Sequence, residues 1–262
     1  EEKGADEERL MTKKLREAHV APRQRLVHDE DPACKSIWWA IRYALSVPTN
    51  IVLIICSAIG YAFFADIRTF GVQYAQAQYH LAHSFAVGLL LPLGIGALCG
   101  IRMGGWLGDS LLSRGRLKAR VWVAMAFYWL AIILFCAGLY FQMMWLSVIL
   151  FICSAFSLGA VNPPLDAARL DIIHPRLWGR AEAVRAVLRD AAEAAAPVSF
   201  GWLASSLGSQ NQGLREAFLI MLIPLAIAGG LGFITFRTYP ADAAAASAYR
   251  EKTVKQASEK KK

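Results

Sequence analysis

From Val121 to Leu165 the chain carries no charged side chain, and residues 51–65, 84–101 and 217–236 share that property. Such runs leave few options. A helix needs roughly 20 apolar residues to cross the hydrocarbon core of a bilayer, and uncharged runs of about 18 or more read as crossings. Residues 121–165 are too long for one crossing. Tyr140, Gln142 and the segment Met143–Trp145 mark an interfacial turn, so two spans meet there. Composition agrees, at 56% hydrophobic and 18% charged, where soluble domains average about 45–50% and about 25%. The expected fold is all-α and integral to a membrane, a bundle of six transmembrane helices. The spans fall at about 48–69, 82–103, 119–140, 144–164, 181–206 and 215–237. The fifth carries enough charge that a hydropathy window would pass over it.

The six-helix domain thus covers 48–237. Before it lies a polar segment, 1–47, ending in an amphipathic helix at 36–47 whose Trp38, Trp39 and Arg42 suit the inner leaflet. A basic tail fills 238–262. The opening EEKGADEERL has no Met and no signal-like stretch, and reads as the interior of a longer chain.

Lys and Arg in the short loops set orientation. Arg114, Arg116, Lys118 and Arg120 lie between spans two and three, and Arg169, Arg176 and Arg180 between spans four and five. The opposite loops hold little beyond Arg68 and Arg215. The basic loops and both termini are expected in the cytoplasm, with the protein in the cell (plasma or inner) membrane. A cation-rich inner face accounts for the net charge of +8, and no nucleic-acid partner is expected.

Cys34, Cys56, Cys99, Cys136 and Cys153 show no CxxC spacing, and four lie in apolar runs, as packing residues do. His80 and His83 alone make no metal site. Without a Ser-His-Asp set, a phosphate-cradling loop or metal-ligand spacing, neither enzymatic activity nor a metal or cofactor is expected. The segment GIGALCG (94–100) is no nucleotide fingerprint, because no strand precedes it.

The loop after span two reads GGWLGDSLLSRGRLKAR, residues 104–120. Its Gly104, Gly105, Leu107, Asp109, Arg114, Gly115 and Arg116 resemble the G-x-L-x-D-R-x-G-R-R/K signature of the major facilitator superfamily. The insertion between Asp109 and Gly115 is of the sort found in spinster-like members. NPPLDAARLDIIHPRLWGRAEA, residues 162–183, resembles the family's connection between helices ten and eleven, through Asp171, Pro175, Gly179 and Arg180. This resemblance implies helices seven to twelve of a twelve-helix secondary transporter, the C-terminal half of that fold. The N-terminal six-helix half, from the same polypeptide or a separate subunit, would be its partner, along with membrane lipid. It also implies alternating access around a small-molecule substrate near the bilayer midplane. Asp109, beside Arg114 and Arg116, would act as a gating charge facing a helix terminus of the other half.

Two further patterns stand out. Gly96, Gly100, Gly104 and Gly108 recur every four residues and line one helical face, suited either to sliding or to static close packing. Span five carries Glu182, Arg185, Arg189, Asp190 and Glu193. Glu193 lies about 18 Å past Ala181 at 1.5 Å per residue, near mid-bilayer, where ionisable groups are costly and face a partner or a water-filled path. An i, i+4 pair of Arg189 with Glu193 is expected. Arg189, Asp190 and Glu193 are the candidates for substrate contact or proton coupling; the spinster-like resemblance points to lipid-like or amphipathic organic anions, which Arg189 could neutralise, with drugs, organic acids and sugars open as well. Asp66 and Arg68, at the outer end of span one, are the next candidates for coupling after those three residues, or else mark the interface, and Asn162, Pro163 and Pro164 read as a break in span four. The competing class is a membrane-embedded structural or assembly subunit that transports nothing.

Overall fold

Pro48 opens a 32-residue helix that runs without interruption to Tyr79. Proline suits a first helical position, where its missing N–H would have had no partner. In the computed structural model, residues 11–27, 32, 35–208 and 210–259 are described; residues 1–10 and Cys34 lie outside them. The helices are α1 (Ile37–Ser46), α2 (Pro48–Tyr79), α3 (His83–Gly88), α4 (Leu90–Ser113), α5 (Ala119–Tyr140), α6 (Met144–Asp171), α7 (Trp178–Ser206) and α8 (Gln210–Glu259). Helices α3 and α4 together form the second crossing, bent at Leu89. Among the described residues there is no strand.

Five of the six crossings are long and apolar enough to span a membrane. α7 is not among them, because of its charges, yet it packs into the bundle through Ala181, Arg185, Ala196 and Phe200. Its place comes from packing against α2 and α8. Phe70 of α2 stacks on Phe200 of α7 at 4.5 Å, and Phe200 lies 4.6 Å from Phe218 of α8.

Besides α2, which runs past 69 to Tyr79 and so places Asp66 mid-helix rather than at its outer end, three boundaries differ from the sequence expectation. α4 continues to Ser113, so Gly104, Gly105 and Asp109 are helical and only Arg114–Lys118 connect to α5. Gly115 ends that helix at φ +87°, and the bonds Gly115 N–H to Leu112 O (2.9 Å) and Arg116 N–H to Leu111 O (3.2 Å) close it as a Schellman turn. α6 runs through Pro163 and Pro164 without breaking. Its membrane environment has neighbouring backbone to absorb what proline displaces. The third difference is the tail, expected to be polar chain from 238, which continues α8 to Glu259 as part of a 50-residue helix. ADAAAASAY is polar enough to end a hydropathy run, but alanine is the strongest helix former.

That extension has a partner. A segment at residues 11–27 lies along it, burying Met11, Leu15 and Leu26. Arg23 donates to Asp242 Oδ1 at 2.8 Å, and Arg16 pairs with Glu251. Asp242 is fully buried and also accepts from Thr49 N (3.3 Å) and Thr49 Oγ1 (2.7 Å) at the start of α2. A carboxylate there satisfies an orphan N–H and meets the positive end of the helix dipole.

The glycine face of α4 packs on α6 inside this bundle. A Cβ on Gly100 would stand 1.9 Å from the Phe156 carbonyl oxygen, and one on Gly104 would stand 2.0 Å from that of Ala160. Gly159 of α6 reciprocates, 2.2 Å from Ala97 O. The two helices thus approach backbone to backbone along this face. Pro164 denies the Ala160 carbonyl its i+4 donor, so the oxygen freed by proline is the one lying against Gly104.

Candidate functional site

Two charged clusters are built where helix ends or helix faces converge. The first pins four helices at one end of the bundle. Arg120, in the first turn of α5, is 2% exposed. Its Nη1 donates to both Asp171 oxygens at 2.8 and 2.7 Å, and its Nη2 donates to Asp109 Oδ1 at 3.0 Å. Tyr239 of α8 donates to Asp171 Oδ2 at 2.5 Å. Asp109 thus pairs with Arg120 rather than with Arg114 or Arg116. Both of those are exposed and make no ion pair among the described residues. Asp171 ends α6 rather than standing in a loop.

The neighbouring connection carries the remaining motif residues. Pro175 begins a 3-10 turn (Pro175–Leu177) in which His174 Nδ1 accepts from Arg176 N–H at 3.2 Å. Gly179 has open space around it, and Arg180 donates to the Lys35 carbonyl at 2.8 Å.

The second cluster is a stripe across α2, α6 and α7. At its inner tier, Arg185 donates to Asp166 Oδ1 at 2.8 Å, to Glu182 through Nε at 3.0 and 3.1 Å, and to Ser57 Oγ at 3.3 Å. Arg169 donates to Glu182 Oε2 at 3.1 Å and to Asn50 Oδ1 at 3.4 Å. Both arginines are almost fully buried, while Asp166 and Glu182 are open on one side. One turn along, Arg189 pairs with Asp190 at 2.9 Å, with its guanidinium 4.7 Å above the Tyr61 ring. At the outer tier Arg68 donates to Glu193 Oε1 at 2.6 Å.

The expected Arg189–Glu193 pair is therefore not formed, and each residue takes a different partner. Arg189 turns to its neighbour Asp190 across the aromatic ring, and Glu193 reaches α2. Asp66 and Arg68 make no ion pair with each other among the described residues. At 100° per residue the two point about 200° apart around α2, so Arg68 reaches outward to Glu193 while Asp66 is 1% exposed.

Arg68, Arg169, Arg185 and Arg189 face Asp166, Glu182, Asp190 and Glu193, so the stripe is neutral overall. Glu193 lies about 22 Å along α7 from Trp178 and about 20 Å from Ser206, mid-helix in a bundle of membrane length. Charges at such depth face a partner or water, not lipid. In low dielectric, paired groups are strongly held only while the pairing lasts. A charged solute entering from the open side meets cations already neutralised, and can bind only by exchanging with a carboxylate.

Arg68 was read from sequence as an interface mark, and Tyr61, Asp166 and Arg169 were not singled out as site residues. Asp166 and Arg169 sit at i, i+3 on one helix and could have been found from that spacing. Arg68 could not, because its partner lies 125 residues away.

A six-helix bundle whose second and third crossings are pinned by a motif aspartate, with a charged stripe halfway along its helices, is half of a major facilitator fold, a multi-pass membrane protein. Two solved structures of a bacterial homologue of the human lysosomal transporter Spinster share the fold. The inward-facing, unoccupied form matches with a TM-score of 0.69 at 16% identity, covering 81% of this chain and 53% of that one. The inward-facing, occupied form matches at 0.67 and 16%, covering 74% and 50%. The chain spans about half the length of these structures, as the C-terminal half of such a transporter would. No curated protein sequence matches it significantly. The model of the Organic Anion Transporter Polypeptide (OATP) family matches residues 1–156, more than half of the chain. The chain belongs to that family, whose members are transporters and not enzymes.

Proposed function

We propose that this chain forms the C-terminal half of a secondary transporter that moves amphipathic organic anions by alternating access. Its partner is an N-terminal six-helix half, supplied by the same polypeptide or by a separate subunit. The observation that carries the reading is the neutral stripe, set mid-helix on an open face where lipid would not tolerate it. The OATP family description supports an anionic substrate.

Arg68 is the most accessible cation of the stripe, with 70% of its side chain exposed. An anionic head group takes Arg68 and displaces Glu193. Glu193, released in a low-dielectric path, needs a new neutralising partner, and a proton is the smallest available. Anion and proton then cross together, and Arg189 with Asp190 repeats the exchange one turn further in. Asp109 serves as the gating charge, its carboxylate held by Arg120 yet 41% exposed and so open to a further partner.

Glu193→Gln mimics the protonated state. In proteoliposomes loaded with fluorescein as the organic anion, it is expected to retain exchange and to lose accumulation driven by a pH gradient. Normal accumulation by that variant overturns the coupling role of Glu193. A chain that neither exchanges nor accumulates any of a panel of organic anions is instead the structural subunit.

Orientation follows from the loop cations, with both termini cytoplasmic in the cell membrane. A cysteine at position 116 is expected to react with impermeant thiol reagent only from the cytoplasmic side, and one at position 210 only from outside. The reverse pattern overturns the orientation.

A further inference from the structure

Asp66 is the one acid of α2 and takes no part in the stripe. It lies about 27 Å from the start of α2 and about 20 Å from its end, close to the middle of a helix that crosses the membrane. It is 1% exposed, its Oδ1 has no hydrogen-bond partner, and it makes no ion pair among the described residues. One turn below it, Phe63 packs edge-on against Phe135 of α5 at 5.0 Å. One turn above it, Phe70 stacks on Phe200. The carboxyl is therefore held in an aromatic, apolar interior.

None of the charges on the surrounding helices forms an ion pair with Asp66 among the described residues. On α2 itself, Arg68 points to the opposite side and holds Glu193. α5 has no charged residue between Val121 and Tyr140, and the Tyr128 hydroxyl donates to the Cys56 carbonyl at 2.6 Å. α6 has none between Met144 and Leu165. α7 brings Glu193, on Arg68, and the Arg189–Asp190 pair. α8 brings Arg215 and Glu216 near its start, and the Arg215 guanidinium sits 4.9 Å from the Tyr140 ring centroid. None of these neutralises Asp66. An ionised carboxylate buried without a partner costs several kcal/mol or more, so such a group carries a proton instead.

We propose that Asp66 is a resident proton-binding site, separate from the stripe and closed to water in this conformation. An O–H bond forms at Asp66 as one O–H bond of a hydronium ion breaks to leave water, and the reverse step returns the proton to water. Exchange requires that the packing of α2 against α7 and α8 open. In an alternating-access cycle only one conformation would open it. The site stands on the placement of Asp66 and does not depend on Glu193 or on the identity of the substrate.

Infrared spectroscopy of the full-length protein in lipid, without added anion, reads the site directly. A protonated-carboxyl C=O band that survives at alkaline bulk pH is expected, lost in Asp66→Asn and retained at a shifted frequency in Asp66→Glu. A wild-type spectrum with no such band overturns the proposal, as does a band unchanged in a stably folded Asp66→Asn protein. Should Asp66→Asn not fold, Asp66→Glu decides, since an unchanged frequency there assigns the band to another carboxyl. If the band behaves as expected in a protein that transports no anion, the proton site stands and only the transport reading falls. A sodium-dependent loss of the band would make Asp66 a cation ligand and overturn the proton assignment.

Discussion

Arg120→Ala is expected to be among the most damaging single substitutions in the chain, lowering stability by about 3–5 kcal/mol, the usual cost of removing one partner from a buried ion pair. Arg120 is 2% exposed and holds Asp171, whose side chain is 7% exposed, through both carboxylate oxygens. Without it Asp171 keeps the Tyr239 hydroxyl but loses its counter-charge. α4, α5, α6 and α8 then lose the group that joins them at this end. Thermal denaturation in detergent checks the loss. Arg120→Ala combined with Asp171→Asn should recover much of it, because the stranded charge is gone, whereas loss of packing alone would not be rescued. Asp109→Asn should cost no more than about 1 kcal/mol, since that carboxylate is partly exposed and such pairs are weak. A melting temperature unchanged in Arg120→Ala would mean the cluster is a surface contact.

Gly104→Leu is the second. Even a methyl group at this position would stand 2.0 Å from the Ala160 carbonyl oxygen, which is backbone and cannot rotate away. α4 and α6 would have to separate, undoing the Gly100 and Gly159 contacts on the same face. Gly104→Ala should cost about 1–3 kcal/mol by overpacking, and Gly104→Leu more, with loss of folded protein from the membrane. Gly105→Ala is the control. A Cβ there would meet only the Pro163 Cβ at 3.4 Å, and near-normal stability is expected. Equal effects at the two adjacent glycines would contradict the close approach of the helices. Size-exclusion profiles and melting temperatures of the three variants give the comparison.

The bundle was legible from sequence because lipid imposes a simple rule on length and charge. Uncharged runs gave five crossings directly, while the charges of the fifth span, Glu182 to Glu193, made it the least legible, and hydropathy misses it. What did not show was who pairs with whom. Asp109 has Arg114 and Arg116 within a few residues, yet the chain turns at Gly115 and carries both outward, leaving Arg120 on the inner side of α5. Glu193 has Arg189 one turn away, yet Tyr61 and Asp190 hold that arginine and Arg68 arrives from α2. Partner choice among several nearby charges depends on helix rotation, which periodicity alone does not specify. The alanine run at 243–246 is a local helix signal that reading 238–262 as a basic tail leaves unused; its buried face exists because residues 11–27 cover it.

On the proposed function, the stripe of α2, α6 and α7 lines a water-filled path that opens to one side of the membrane at a time. Single cysteines at positions 68, 190 and 193, in a chain whose five native cysteines are replaced by serine or alanine, test it with an impermeant thiol reagent applied from either side. Labelling is expected at all three positions; at position 190, where the Arg68–Glu193 pair is intact, it should be slowed by an excess of the transported anion and shift between sides when a substrate gradient is reversed. Reaction only with a lipid-soluble reagent, unaffected by any organic anion, would place the stripe against lipid or a fixed protein neighbour and contradict the account.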